Sequence, residues 1–234
     1  MKYVRVGDSG LKITEITFGT ALTIGTEFDE KKRVEELIDT AWNLGIRSYD
    51  TSNNYGIAEK LLGKALKKYK REEYVISTKV SWPVGNTPFH RGLSRKHILW
   101  AIDESLKKLE LDYVDLYYAH RYDPEVPMRE IVRTFNNLIN IGKIRYWATS
   151  EWPLDALKEC HRVCEELNLE KPILEQSIYS YAITKVESNG VKNFCDKNGI
   201  GLLGFSPLAQ GLLTGKYKMG IPENSRIAKS KKIN

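Results

Sequence analysis

The chain has few cysteines and no long uninterrupted apolar segment. Its three cysteines, Cys160, Cys164 and Cys195, are odd in number and share no repeated spacing, so we expect no disulfide framework. The segment "CHRVC" (160–164) has no second cluster of metal-ligand residues near it, and we expect no metal site. No segment approaches the roughly 18 apolar residues of a membrane span, and the opening "MKYVRVGDSG" lacks the apolar core of a signal peptide. These absences predict a soluble, cytoplasmic protein.

The chain also lacks a strong excess of one charge over its main body. The formal net charge is +6, from 36 basic and 30 acidic residues. Four of the basic residues lie in the last ten positions, which contain no acid, and without them 32 basic residues face 30 acidic ones. Mixed charges along helices are typical of a solvated surface rather than of a nucleic-acid footprint. We therefore expect no nucleic-acid partner.

What the sequence does contain is a regular alternation of strand-like and helix-like segments. A short hairpin ("KYVRV", "GDSG", "LKI") precedes seven predicted strands, with one predicted helix in each of the six intervals between them. The helix signals include Asp29 as an N-cap, Ser94 at a helix start and Gly45 at a helix end. The fifteen residues "KVESNGVKNFCDKNG" are predicted to form one helix between the last two strands. Repeated units of this length predict a parallel sheet covered by helices.

Two features favour a (β/α)8 TIM-type barrel over an open doubly wound sheet. No "GxGxxG" follows the first strand, and polar loops follow nearly every strand. A complete barrel needs an eighth strand and two more helices, and residues 216–234 are too few to supply them. We therefore predict one barrel domain over residues 1–234 that is incomplete at its C-terminal end, with seven strands, six helices and an N-terminal hairpin.

Ionisable side chains follow the predicted strands, where barrel enzymes carry their catalytic groups. Asp50 ends the second strand, Tyr55 lies in the next loop, Lys79 lies on the third strand and His120 ends the fourth. A tyrosine with a pKa of about 10 is an inefficient acid at neutral pH, and a nearby ammonium held by a carboxylate is expected to lower that pKa. The set suits protonation of a carbonyl oxygen. Reduction of the carbonyl also needs a hydride donor, for which a nicotinamide cofactor is the natural source.

Each of these residues also has an ordinary structural explanation. Asp50 suits a turn, Tyr55 a half-buried aromatic position, Lys79 a surface position, and His120 alone is more often structural than catalytic. Their convergence on one rim of a barrel favours a shared site. A second chemistry stays open, in which Lys79 forms a Schiff base as in aldolase-like barrels, although it leaves Tyr55 unexplained.

Four longer segments resemble the aldo-keto reductase superfamily. They are "RGLSRKHI" (91–98), "YVDLYYAHRYDPEVPMREIVR" (113–133), "YWATSEW" (146–152) and "FSPLAQGLLTGKYKMGIPENSR" (205–226). They are most similar to the branch that contains the voltage-gated potassium-channel β subunits and their bacterial and plant relatives. The resemblance extends over nearly the whole chain, and the motifs occur in the order of the family.

The resemblance implies NADPH-dependent reduction of aldehydes or ketones to alcohols. The order Asp50, Tyr55, Lys79, His120 matches the catalytic tetrad of the family. In it Tyr55 is the proton donor, Lys79 with Asp50 tunes Tyr55, and His120 orients the carbonyl, while Trp82 lines the substrate pocket.

The resemblance also implies which residues contact the cofactor. Ser150, Glu151 and Gln176 are expected near the nicotinamide carboxamide and Phe205 against its ring, whereas residues 206–211 surround the pyrophosphate. Glu151 departs from the family pattern, because many members carry asparagine there. The full expected set is Thr20, Ala21, Asp50, Ser150, Glu151, Gln176, Phe205, Ser206, Pro207, Leu208, Gln210, Gly211, Lys216 and Arg226.

Two other departures bear on function. His120 matches the enzymatic members, whereas the channel β subunits typically carry asparagine, so a working reductase is favoured over a nucleotide-binding regulatory subunit with little turnover. The final segment of the family, which contacts the adenosine and the 2′-phosphate, is missing from this sequence. If the chain is complete, we expect weak cofactor binding and an open barrel edge between the first and seventh strands, which could pair in a homo-oligomer. The alternative is that the sequence is part of a longer gene product.

Overall fold

The computed structural model of the chain describes residues 1–223, 225 and 228. The N-terminal segment forms an antiparallel hairpin of β1 (Tyr3–Arg5) and β2 (Lys12–Thr14), in which Val4 lies opposite Ile13. The predicted hairpin is confirmed.

The next seven strands form one parallel sheet in which neighbours along the chain are neighbours in space. They are β3 (Phe18–Gly19), β4 (Ser48–Asp50), β5 (Val75–Val80), β6 (Val114–Ala119), β7 (Ile144–Ser150), β8 (Leu174–Ile178) and β9 (Gly201–Phe205). The helices are α1 (Lys31–Asn43), α2 (Ala58–Leu66), α3 (Arg95–Leu109), α4 (Met128–Asn140), α5 (Leu154–Leu167), α6 (Lys185–Ser188) and α7 (Val191–Lys197). This curled parallel sheet with covering helices confirms the predicted incomplete (β/α)8 barrel.

Apolar side chains pack on both faces of the curled sheet. On β6, Leu116 and Tyr118 belong to the cluster that includes Val6 and Ile13 of the hairpin region, whereas Tyr117 packs with the helices. Successive strand residues point to opposite faces, so the hairpin covers one opening of the curled sheet. Strands buried on both faces appear in the sequence as nearly continuous apolar runs. This pattern distinguishes them from the amphipathic helices that lie between them.

Three local predictions were wrong. The first barrel strand, which the sequence predicts over "EITFG" (15–19), is only Phe18–Gly19, since these two residues alone pair with β4. The N-cap of α1 is Glu30, without a side-chain cap, rather than Asp29. The helix predicted over residues 185–199 is two helices, because Gly190 has a φ of 83° and the Asn189 carboxamide oxygen accepts the N–H of Val191. Ser94, by contrast, caps α3 as predicted.

No helix among residues 1–223 has both the length and the apolar character needed to cross a membrane. Over the same described residues, no three His, Cys, Asp or Glu side chains are grouped so that they could hold a metal ion. All three cysteines are buried and free.

Candidate active site

A buried ion pair lies at the carboxyl ends of β4 and β5. The parallel register places Asp50 opposite Ser77, and Lys79 follows two residues later on the same face of β5. The Lys79 side chain is fully buried; its ammonium donates to Asp50 Oδ2 and, over 2.7 Å, to the carbonyl oxygen of Thr51. Ser77 Oγ donates to Asp50 Oδ1 over 2.6 Å. Both carboxylate oxygens are therefore held in place. Ser77 was not predicted, although the two-residue period that places it beside Lys79 could have identified it.

Tyr55 lies over this pair, with its ring centroid 5.3 Å from Lys79 Nζ. Burial raises the pKa of Tyr55 well above its usual value and the Asp50 carboxylate raises it further, while Arg121 lowers it. The sequence-based expectation of a lowered pKa is therefore not met. The main physical reason is burial of the phenol, to which the negative charge of Asp50 adds. Burial also lowers the pKa of Lys79, against the opposing effect of Asp50.

His120 follows β6 and brings its imidazole next to Tyr55. Its backbone N–H donates to Val80 O over 2.8 Å, and its Nδ1 lies 3.3 Å from Ser52 Oγ. The centroid of the imidazole ring lies 6.0 Å from that of Tyr55 and 6.3 Å from that of Trp82, and both contacts are edge to face. Trp82 is 43% exposed. Tyr55, His120 and Trp82 thus border one space above the buried pair.

The His120 imidazole is neutral at physiological pH. Burial lowers its pKa to about 2, and the positive charges of Lys79 and Arg121 act in the same direction. A neutral imidazole has one donor nitrogen and one acceptor nitrogen. With Nδ1 at the Ser52 hydroxyl, Nε2 is the nitrogen without a protein partner in the described chain.

Arg121 is a third charged residue at this rim, and no sequence signal beyond its adjacency to His120 marked it. Its Nη1 donates to the carbonyl oxygen of His120 over 2.5 Å and to Ser150 Oγ over 3.2 Å. Its guanidinium carbon lies 5.5 Å from the centroid of the Trp82 ring. Arg121 thus connects the ends of β6 and β7.

Thr20 and Ala21, expected near the cofactor, lie at the end of β3. Thr20 is fully buried, and its hydroxyl is within hydrogen-bond distance of Asp50 O (3.2 Å) and Thr51 Oγ1 (2.9 Å). The Thr20 side chain therefore supports the backbone around the ion pair. Ala21 is exposed beside it.

Two of the three residues expected at the nicotinamide carboxamide lie side by side on neighbouring strands. Gln176 pairs in parallel register with Ser150, and its carboxamide makes no hydrogen bond to any described residue. Glu151 has a φ of 56°, and its Oε1 accepts the backbone N–H of Ile178 over 2.5 Å. One carboxylate oxygen of Glu151 is thus bonded to the backbone of β8, and the expected contact from Glu151 to the carboxamide stays a prediction.

The loop after β9 has an unusual backbone. Ser206, Ala209, Gln210 and Gly211 all have positive φ, at 53°, 47°, 54° and 99°. The N–H groups of Ser206 and Leu208 donate to no acceptor in the described residues. Free N–H groups in such turns form concave anion-binding sites, so this loop suits a pyrophosphate.

Lys216 lies directly against this loop. A Cβ at Gly211 would be 2.4 Å from Lys216 Cε and 2.7 Å from its Nζ, so a larger residue here would move the end of the Lys216 side chain away from the backbone. Phe205 ends β9 half-buried, and Pro207 is exposed in the loop. Arg226, which the resemblance pairs with a phosphate together with Lys216, falls outside the described residues.

Comparisons with known proteins agree with this geometry. The model of the Aldo/keto reductase family matches residues 15–234. A putative voltage-gated potassium channel subunit beta of Schizosaccharomyces pombe is 42% identical over 228 residues, covering 95% of this chain and 66% of that protein. A probable potassium channel subunit beta of Arabidopsis thaliana is 40% identical over 234 residues, covering 97% of this chain and 70% of that protein. The chain thus spans about two thirds of the length of these relatives.

A solved structure of an aldo-keto reductase is also similar to this chain. The crystal structure of a thermostable aldo-keto reductase in complex with the inhibitor epalrestat superimposes with a TM-score of 0.81 at 32% identity, covering 93% of this chain and 77% of that one. The curled barrel, the rim residues and these matches lead to one conclusion: the chain belongs to the aldo/keto reductase family of oxidoreductases.

Proposed function

We propose that the protein reduces aldehydes or ketones to alcohols with NADPH, and that Tyr55 donates the proton. The observation that carries this proposal is the fully buried Lys79–Asp50 pair beneath Tyr55. Burying a lysine is costly unless the charge is paired and hydrogen-bonded. The fold maintains such a pair at the rim where barrel enzymes perform chemistry.

Tyr55 is well suited to hold a proton until the substrate oxygen becomes negative. Its raised pKa keeps the phenol protonated at neutral pH. When bound, NADPH would supply the hydride for the carbonyl carbon. The Tyr55 O–H then gives its proton to the carbonyl oxygen, and the ammonium of Lys79 stabilises the phenolate that remains. Asp50, held by Ser77, keeps that ammonium in position.

His120 and Trp82 would position the substrate. The single proton of the Ser52 hydroxyl goes to Asn54 Oδ1 over 2.6 Å, so the neutral His120 imidazole donates from Nδ1 to Ser52 Oγ and leaves Nε2 as an acceptor. To donate a hydrogen bond from Nε2 to the carbonyl oxygen, the imidazole would take the other tautomer, with the Ser52 hydroxyl turned to Nδ1. Trp82 supplies an apolar wall next to His120. The two rings thus provide orientation without a second proton transfer.

The described residues fit a nicotinamide nucleotide in two places. The free N–H groups and the glycine-dependent approach of Lys216 suit the pyrophosphate. Ser150 and Gln176 would hold the carboxamide, with Phe205 against the ring, and Thr20 and Ala21 lie under the same rim. The contribution of Arg226, the preference for NADPH over NADH and the homo-oligomer remain predictions.

A second candidate function is a nucleotide-binding regulatory subunit. Two of the relatives are named potassium channel subunits beta, which favours it. Mixing the protein with NADPH and a panel of small aldehydes separates the two candidates. Loss of the near-ultraviolet absorbance of NADPH, matched by alcohol formation, supports the reductase; tight NADPH binding without oxidation supports the regulatory subunit.

The Schiff-base chemistry has less support from the geometry. The Lys79 nitrogen is fully buried and donates to Asp50 and Thr51, so it lacks the open approach that a carbonyl carbon needs. Borohydride treatment in the presence of an aldehyde tests this directly. A reduced adduct on Lys79 would overturn the assignment of Tyr55 as the reacting group.

A further inference from the structure

Arg121 carries a charge at the rim that no described acidic residue neutralises. Both of its hydrogen bonds, to His120 O and to Ser150 Oγ, come from Nη1 alone. A guanidinium has five N–H donors, so the remaining donors on Nη2 and Nε have no partner in the described chain. Arg71 shows the contrast, because its Nη2 pairs with Asp115 Oδ2 at 2.6 Å.

The charge balance of the rim leaves the positive charge of Arg121 uncompensated. The positive charge of Lys79 is paired with Asp50, and His120 is neutral. The Glu151 carboxylate turns to the backbone of Ile178 rather than to Arg121. A half-buried positive charge in this setting attracts an anion, because field lines are focused in a concave, weakly solvated site.

The position of Arg121 decides where such an anion would lie. The guanidinium is held at His120 and packs 5.5 Å from the Trp82 ring centroid, and both of these side chains border the space assigned to the carbonyl substrate. An anion on the free donors of Arg121 would therefore lie beside the reacting carbonyl. The planar fork of the guanidinium matches the oxygens of a carboxylate or a phosphate.

We propose that Arg121 determines specificity by binding the anionic group of the substrate, so that the preferred substrates are carbonyl compounds bearing a carboxylate or a phosphate. This inference rests on the proposed reductase function. The competing explanation is that Arg121 only fixes the backbone of His120 and the hydroxyl of Ser150. Such a role would affect charged and neutral substrates equally.

The test compares matched substrates in the full chain. 4-Carboxybenzaldehyde is paired with its neutral methyl ester, and glyceraldehyde 3-phosphate with glyceraldehyde. The ratio of kcat/KM for the charged over the neutral member is measured in the wild type, Arg121→Met, Arg121→Lys and the control Arg133→Met, whose arginine is exposed on α4.

We expect the wild type to prefer the charged member, and Arg121→Met to lower the ratio by about tenfold or more, mainly through KM. Arg121→Lys should keep part of the preference, because it keeps the charge but loses the fork, and Arg133→Met should leave the ratio unchanged. A preference confined to one pair identifies the anion as carboxylate or as phosphate. An unchanged ratio in Arg121→Met, or an equal loss for both members, would overturn the proposal.

A binding measurement keeps this test separate from the reductase assignment. Calorimetric titration with 4-(hydroxymethyl)benzoate and with its methyl ester requires no turnover. We expect the carboxylate to bind more tightly to the wild type than to Arg121→Met, and the difference to shrink with added salt. If no aldehyde is reduced but this difference is found, the proposed function fails and the anion site stands; equal binding to both proteins contradicts the anion site.

Discussion

The ammonium of Lys79 donates to the carboxylate of Asp50 at a point where the lysine side chain is fully buried. Burial lowers the pKa of the lysine and the carboxylate opposes that shift, so the carboxylate helps to keep the buried ammonium charged. Ser77 and Thr51 complete the hydrogen bonding. Stability and catalysis should therefore depend on the pair as a unit.

Replacing Lys79 by methionine should both destabilise the protein and abolish most turnover. The change leaves the Asp50 carboxylate without its cation, which costs roughly 3 kcal/mol for a buried pair. Urea denaturation of Lys79→Met, Asp50→Asn and the double variant measures the coupling. We expect the double variant to lose less free energy of unfolding than the sum of the single changes. Strict additivity would contradict the idea of a mutually dependent pair.

The imidazole of His120 should not titrate in the working pH range. Its folded-state pKa of about 2 lies far below the usual 6.5, so the folded protein resists a proton that the unfolded chain accepts. His120 therefore leaves the free energy of unfolding unchanged above about pH 6.5. Below that pH, it lowers the free energy of unfolding progressively as the pH falls. Nitrogen-detected NMR of labelled histidine checks the claim. A His120 resonance that titrates with a midpoint between about pH 6 and 7 would rule out the neutral orienting role.

The buried carboxyl group of Glu175 should make the stability of the protein depend on pH in the direction opposite to that of His120. This residue of β8 is fully buried, its Oε1 accepts from Ser177 Oγ over 3.0 Å, and burial raises its pKa from 4.5 to about 7. The folded state thus holds an extra proton between those values, so its stability falls as the pH rises through that window.

Glu175→Gln should remove this dependence. The variant should be more stable than the wild type at about pH 8, by up to about 3 kcal/mol, and nearly equal to it close to pH 4.5. Urea denaturation at both pH values measures the difference, with the exposed Glu72→Gln as the control. A difference that does not change with pH would show that Glu175 is not protonated in the folded state near neutrality.

Gly211→Ala should weaken NADPH binding. A side chain at a φ of 99° is strained, and its Cβ would displace Lys216 from the loop, so we expect a loss of about tenfold or more in affinity, corresponding to about 1.4 kcal/mol. Fluorescence titration with NADPH measures this. Gly220→Ala is the matched control, because its φ is 118° but no atom lies within 4 Å of the added Cβ. Equal losses in the two variants would mean that general strain, not the approach of Lys216, is responsible.

The fold was largely predictable, because strands buried on both faces and amphipathic helices leave different periods in the sequence. The two-residue period of β5 places Lys79 on the face of Ser77, and parallel pairing brings Asp50 to it. The short β3 and the break at Gly190 were not predictable in the same way, since pairing partners and tertiary packing decide where a strand or helix ends.

The electrostatics of the site could not be predicted from residue types alone. The pKa of Tyr55 rises because burial and Asp50 outweigh the nearby cations, and both effects depend on distances. The side chain of Glu151 turns to the Ile178 N–H, and Arg121 reaches Ser150 at the end of the neighbouring strand β7. Sequence position marks these residues as neighbours of the site, but only the geometry shows which partner each one contacts.

The most direct test of the proposed mechanism is the NADPH-dependent reduction of an aldehyde by Tyr55→Phe. Removing the hydroxyl removes the proton donor while keeping the ring beside Lys79 and His120. We predict that kcat falls by a factor of about 10² to 10⁴ with little change in NADPH affinity, while Tyr69→Phe, whose hydroxyl bonds Asp39 on α1, stays close to wild type. A Tyr55→Phe variant that keeps the full rate would contradict the account.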